Sequence, residues 1–284
     1  MALTWTVVAA VLLGALLHAS WNALVKSSTD KGLDTALIHL LGSVITLPLV
    51  LLLGWPQAES WPYIAASVTI HIAYYFLLTG AYKHGDLGLT YPLMRGTAPL
   101  LVALVSMATL GEQLVPLAWV GVLAISIGVL ALGLSQHALD SPRAVAFALA
   151  NAVIIAIYTV VDAKGARASG NPLQYVVALF VLDGWPFGLY VMAQRGRANL
   201  PLLKTYIRAR WPVAAGGALA SLGSYGIALW AMTQAPVATI AALRETSVLF
   251  AALMGVWWLK ESFTLRRTLG TLTIVAGVMA LRLA

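Results

Sequence analysis

Residues 87–110 read LGLTYPLMRGTAPLLVALVSMATL, and the class of fold follows from this run. It is apolar and longer than the roughly 20 residues that a helix needs to cross a bilayer, yet Arg95 sits inside it, between Pro92 and Pro99. Proline has no N–H, so in a helix Pro99 leaves the carbonyl of Arg95 without its partner, and Pro92 does the same to the carbonyl of Gly88. Freed carbonyls at membrane depth survive where protein or a water-filled cavity satisfies them. A cation there costs about 2.5–3.5 kcal/mol on insertion scales, so it faces a cavity or a partner. The run reads as a broken membrane helix with Arg95 turned toward a cavity, an element suited to an anionic group. The competing reading has Arg95 snorkelling to an edge or capping a helix end.

The rest of the chain has the same character. Hydrophobic residues make up 61% of the 284, charged residues 10%, and the mean hydropathy is +0.88. A soluble domain carries about 25% charged residues, so the chain reads as an all-α integral membrane protein. The absence of cysteine excludes disulfides, thiolate metal sites and cysteine nucleophiles. The net charge of +7 comes without a basic stripe interleaved with aromatics, so no nucleic-acid partner is expected. The first segment has no basic n-region and no clear cleavage site, and reads as a retained helix.

Apolar segments of spanning length recur ten times, near 4–25, 35–54, 61–82, 88–109, 115–135, 143–162, 172–193, 211–233, 237–258 and 266–283. Short polar or helix-breaking stretches divide them, and 194–210 is the one connection with room for much more than a turn. The chain also repeats. A shift of 149 positions places Arg95 on Arg244, Thr97 on Thr246, Glu112 on Glu261, Gly121 on Gly270 and Gly128 on Gly277, with 14 of 38 positions identical and no gap across 95–132 and 244–281. Each unit holds five helices, 1–135 and 136–284. Because five is odd, the second unit starts from the opposite side of the membrane, which makes an inverted repeat around a central cavity.

Orientation follows from Lys and Arg. Lys26, Lys31, Lys83, Arg143, Arg195, Arg197, Lys204, Arg208, Arg210, Lys260, Arg266 and Arg267 fall on one side; Lys164, Arg167 and Arg282 fall on the other. The positive-inside rule puts the larger group in the cytoplasm and both termini outside.

Two hydrophobic five-helix repeats, each with a Leu-x-Glu turn (Leu110-Gly111-Glu112 and Leu259-Lys260-Glu261) before a glycine-spaced last helix, resemble the EamA-type drug/metabolite transporter superfamily, over essentially the whole chain. Within it, the chain looks most like the bacterial amino-acid exporters, in particular the aromatic amino-acid group. The resemblance implies a bacterial inner-membrane location and alternating access. It also implies a cavity lined mostly by the first, third, fourth, sixth, eighth and ninth helices. Small multidrug members carry a glutamate in the first helix, and this chain has no acid there.

The candidate substrate-binding residues come from polar groups on shared helix faces. In the third helix His71, Tyr74, Tyr75 and Tyr82 share one face, and Tyr82 also fits an interfacial belt. The first helix puts His18, Trp21 and Asn22 on one face with Gly14, where lining and close packing are both open. The sixth helix offers Tyr158 with Asn151 and Asp162, the last read as an interfacial charge near Lys164. Asp183 stands mid-span in the seventh helix, and Tyr225 in the eighth. Arg244 and Glu245 lie in the ninth; Glu245 is a candidate protonation switch or the structural partner of an arginine. A zwitterion needs a donor for its carboxylate (Arg95 or Arg244), an acceptor for its ammonium (Glu245 or Asn22) and an aromatic surface. The same aromatic surface would also suit a flat organic cation. Because Pro99 frees a carbonyl beside Arg95 and Arg244 has Val248 at that place, Arg95 is expected nearer the cargo. Arg244 is expected to be structural, held by a carboxylate such as Asp183.

The function expected is export of amino acids, aromatic and other neutral ones favoured, with efflux of flat organic cations or another small metabolite as the alternative. An enzyme is not expected: there is no HExxH, GxSxG or paired-aspartate motif, and the five histidines lack ligand spacing within a helix. A channel remains the other class that inverted repeats permit. No cofactor or metal is expected. The expected partners are a small-molecule substrate and the lipid bilayer, and a monomer is compatible with the sequence.

Overall fold

The computed structural model describes residues 3–84, 87–133, 141–259 and 265–284. Among them every regular element is helical. We number the helices α1 (Trp5–Lys26), α2 (Lys31–Leu53), α3 (Trp61–His84), α4 (Leu87–Leu110), α5 (Pro116–Gly133), α6 (Pro142–Ala168), α7 (Pro172–Arg197) and α8 (Asn199–Gln234). They are followed by α9, in two pieces (Val237–Arg244 and Ser247–Leu259), and α10 (Leu265–Leu283). Among the described residues, eight of the helices are long and apolar enough to cross a membrane.

Helices start where the sequence supplies a cap. The side chains of Thr4, Asp30, Ser141 and Asn171 accept from the backbone N–H groups of Val7, Leu33, Ala144 and Leu173, each cap being worth about 1 kcal/mol. In two of these starts proline follows at the first helical position, Pro142 and Pro172, where its missing N–H costs nothing.

Two expectations are corrected. The stretch 194–210 is helical, not a connection: only Asn199 leaves helical geometry, at φ −163° and ψ 93°, and its side chain caps α8 at Leu202. The reason is tertiary. Leu203 is buried with Leu33, Ala36 and Val191, and ion pairs Arg195–Asp30 and Arg210–Asp34 tie this corner to the start of α2. The second correction concerns the broken helix. Pro92 and Pro99 lie inside a continuous α4, and the break falls in α9 at Glu245–Thr246 instead. There the backbone N–H groups of Glu245, Thr246 and Val248 reach back three residues, and the Thr246 hydroxyl donates to the carbonyl of Leu243 at 2.7 Å. Such local hydroxyl bonding competes with the helical ladder.

The inverted relation of the two repeats is visible where α5 meets α10. A Cβ on Gly121 would lie 3.0 Å from the carbonyl oxygen of Gly277, and one on Gly128 would lie 2.8 Å from that of Gly270. As the number rises in α5 it falls in α10, so the two last helices run antiparallel. The contacts are also reciprocal. Adding 149 turns Gly121 into Gly270 and Gly128 into Gly277, so each contact maps onto the other, as a two-fold axis requires. Other pairings follow the same exchange: α3 lies on α6 as α8 lies on α1, and α2 packs along α7. The division at 135/136 falls outside the described residues.

Candidate functional site

Three polar clusters lie inside the bundle. The first joins the repeats through Arg95. Its Nε lies 2.9 Å from Oε2 of Glu245, its NH2 group donates to Oγ of Ser247 at 3.4 Å, and its guanidinium stands 5.9 Å from the centre of the Tyr91 ring. Both ends of the pair are buried, Arg95 at 7% and Glu245 at 5% exposure. The break in α9 directs Glu245 across to α4. Of the two readings open for Glu245, the geometry gives the structural pair with an arginine. Of the cavity and the partner that the sequence leaves open for Arg95, the partner is seen: its charge is met by Glu245.

The second cluster gathers on α3. His71 is buried, with Nδ1 3.5 Å from Oδ1 of Asp183 and 3.3 Å from Oγ of Ser67. The Tyr158 ring leans on the imidazole at 4.5 Å between centres. Tyr74 meets His71, Tyr75 and Tyr158 edge-on. Tyr75 stacks on Phe187 at 4.4 Å and its hydroxyl reaches Nε2 of His39 at 3.0 Å. On the opposite face of α3, Ile72 and Phe76 are exposed. Gly184 makes this juxtaposition possible: a Cβ there would fall 2.3 Å from the backbone carbonyl of His39, so its absence lets α7 bring Asp183 and Phe187 against α2 and α3. Ser43 strengthens the same approach by donating to the carbonyl of Phe180 at 2.7 Å.

The third cluster centres on Asp162, which is fully buried and accepts from the hydroxyl of Tyr175 at 2.8 Å and from that of Tyr225. Its reading as an interfacial charge is corrected: two tyrosine hydroxyls satisfy the two carboxylate oxygens. Gly165 admits the Tyr175 ring, which a Cβ there would meet at 2.2 Å. Over the Tyr225 ring, 5.4 Å from its centre, lies the guanidinium of Arg244. Arg244 is half-buried, and among the described residues it makes no ion pair and no hydrogen bond. The expected contact between Arg244 and Asp183 is not formed, because Asp183 faces His71.

The α1 residues complete the arrangement. Trp21 donates through its indole N–H to Nδ1 of His18 at 3.3 Å, and the amide of Asn22 donates to the carbonyl of His18 at 2.7 Å. His18 lies within electrostatic reach of both Arg95 and Arg244. Tyr158 packs on His71 and Tyr74 and lies at electrostatic range of both arginines, Glu245 and Asp162. The side chain of Tyr82 and the turn residue Glu261 lie outside the described residues. Glu112, the matching turn residue of the first repeat, accepts from Arg167 at 2.7 Å and from the backbone N–H of Val237 at 2.9 Å.

Reading by helix face missed His39, Tyr91, Tyr175, Phe187 and Ser247. The second and seventh helices were not counted among those that line the interior, although a mid-span histidine at 39 was a visible signal. Nothing local announces Tyr175 as the donor to Asp162.

The helical bundle of two inverted repeats gathers charged and aromatic side chains inside it. The model of the EamA-like transporter family matches residues 142–283, half of the chain, and the chain belongs to that family, whose members move small metabolites across membranes. A crystal structure described only as that of a protein is similar over 97% of this chain and 96% of its own, with a TM-score of 0.71 and 19% identity, a likeness of fold. No curated protein matches the chain.

Proposed function

We propose that this transporter exports amino acids, aromatic and other neutral ones favoured, from the bacterial cytoplasm by alternating access, with both termini on the outer side of the inner membrane. The observation that carries the reading is Arg244. Of the two repeat-related arginines, Arg95 and Arg244, it is the one without a carboxylate partner among the described residues, and it lies on an aromatic face. A guanidinium in that setting takes a carboxylate in a bidentate grip. Asp183 supplies a negative charge for the ammonium of the same zwitterion. Tyr74, Tyr75 and Phe187, already engaged ring to ring, supply a surface for a flat side chain.

A second reading, efflux of flat organic cations, draws on Asp183 beside those rings, since a cation gains from both a carboxylate and a π face. Counterflow separates the two. Proteoliposomes preloaded with individual unlabelled amino acids should take up labelled phenylalanine transiently and saturably, most strongly when loaded with aromatic and other neutral ones. Counterflow with a planar cation and none with any amino acid would replace the first reading by the second. A single-channel current would replace both by a channel.

A further inference from the structure

We infer that the elbow between α7 and α8 binds anionic phospholipid of the leaflet that it borders, with Arg197, Lys204 and Arg208 holding the phosphates. The inference goes beyond the transport reading and does not depend on the cargo. It starts from a charge count at this corner of the molecule. Arg195 pairs with Asp30 at 2.9 Å, and Arg210 pairs with Asp34, which also accepts from the Tyr206 hydroxyl at 2.8 Å. Both acids of the corner are thereby taken. Arg197, Lys204 and Arg208 are exposed, and among the described residues they make no ion pair and no side-chain hydrogen bond. Three cations are left without a partner in the protein.

Helix length puts them at headgroup depth. α8 has 36 residues, about 54 Å at the helical rise, against a hydrocarbon core of about 30 Å. From Trp211 to Gln234 the axis rises about 35 Å, which is enough to cross that core, so Trp211 stands at one boundary. An exposed tryptophan is at home there, and Trp211 is 53% exposed. Arg208 and Lys204 follow about 5 and 10 Å further out. Their long side chains reach the polar layer from that height.

Direction agrees with depth. Lys204, Arg208, Trp211 and Leu219 are spaced i, i+4, i+7 and i+15, which is one helical face, and all four are exposed. Leu219 lies within the span, so the face that meets acyl chains at Leu219 carries the two cations at its outer end. On α7 the exposed Tyr190 and Arg197 are spaced i and i+7 and repeat the order of ring below and cation above. The other face of α8 is occupied: Leu203 packs on Leu33 and Val191, and Tyr206 and Arg210 reach Asp34. Cations continuous with a lipid-facing aromatic and apolar stripe fit a lipid phosphate better than a soluble anion. The two guanidinium groups can grip phosphate oxygens in a fork, and the ammonium attracts them as a point charge. Each basic side chain near an anionic membrane surface is worth about fivefold in binding.

Two measurements on the full chain test this. In mild detergent with equimolar phosphatidylglycerol and phosphatidylcholine, native mass spectrometry should show wild type retaining phosphatidylglycerol in roughly tenfold excess or more. Arg197→Gln/Lys204→Gln/Arg208→Gln should bring the ratio near one. Lys83→Gln/Arg143→Gln/Arg266→Gln removes the same charge from the ends of α3, α6 and α10 and should leave the ratio unchanged. The second measurement uses vesicles of the two lipids. A fluorophore on a cysteine at the exposed Ala209, in a chain with no other, should be quenched at a several-fold lower mole fraction by phosphatidylglycerol spin-labelled high on its acyl chain than by phosphatidylcholine with the same label. No preference in wild type, or an equal loss of preference in both triple variants, would overturn the site. Equal quenching by the two lipids would also overturn it and leave the cations to a soluble acidic partner. If the elbow variant fails to fold, the quenching comparison decides, because it keeps all three cations in place.

Discussion

Arg95 and Arg244 occupy equivalent places in the internal repeat, yet they meet different neighbours. Arg95 is held by Glu245, whereas Arg244 rests on Tyr225 with no carboxylate in contact among the described residues. The sequence shows that neither arginine has an acid at i±3 or i±4, and it makes Glu245 a candidate partner for some arginine. It does not show which one, because that depends on how α4 and α9 cross. Removing one end of a buried pair leaves an uncompensated charge and costs about 3–5 kcal/mol, while replacing both ends with apolar groups is often near neutral. Arg95→Leu should therefore lower the melting temperature sharply in detergent. Adding Glu245→Leu should restore most of the loss. Equal instability of the single and double variants would mean that the pair does not hold α4 to α9.

At the scale of elements, composition and hydropathy were enough to find the spans, and the 149-residue shift was enough to relate them. Breaks and continuations were less legible. Prolines point to a break in α4, but the helix runs on through both of them. The break in α9 falls at Glu245 and Thr246: the Glu245 carboxylate pairs with Arg95 and the Thr246 hydroxyl bonds back to the carbonyl of Leu243. The polar stretch 194–210 looks like a loop until Leu203 finds its small apolar cluster. In the sequence the Leu-x-Glu turn is a family mark, and the structure shows what Glu112 does. One carboxylate oxygen takes Arg167 and the other caps the N-terminus of α9 at Val237, while Arg167 also donates to the carbonyls of Met232 and Ala235. On the side to which the charge count assigns the termini, the turn after α4 is thereby fastened to the ends of α6 and α8. Glu112→Ala should free the start of α9 and shift the population toward the state open on that side. A cysteine introduced at the buried Thr239 should then react several-fold faster with a membrane-impermeant maleimide, since about 1 kcal/mol moves a two-state equilibrium roughly fivefold. An unchanged rate would show that the clamp does not govern access there.

For the whole molecule, the antiparallel and reciprocal glycine contacts of α5 with α10 give the inverted relation that the odd helix count required. Orientation rests on the distribution of Lys and Arg. With no native cysteine, single cysteines at Ala2 and Ala284 should be labelled by an impermeant reagent in intact cells; protection of both would reverse the orientation. Polar residue types mark the interior of the bundle: eight of the twelve candidate positions, His71, Tyr74, Tyr75, Arg95, Tyr158, Tyr225, Arg244 and Glu245, lie in the three clusters described. Pairings between helices were not legible: the arginine held by a carboxylate is Arg95, not Arg244. The most direct test is to compare counterflow of labelled phenylalanine by Arg244→Leu with that by the doubly neutral Arg95→Leu/Glu245→Leu variant, both purified as monodisperse protein. Loss of a charge-assisted hydrogen bond is worth about 1.5–3 kcal/mol, so Arg244→Leu should lose roughly ten- to a hundredfold in apparent affinity while the double variant keeps its activity. Full activity in Arg244→Leu, with activity lost in the double variant, would contradict the assignment and return Arg95 to the cargo.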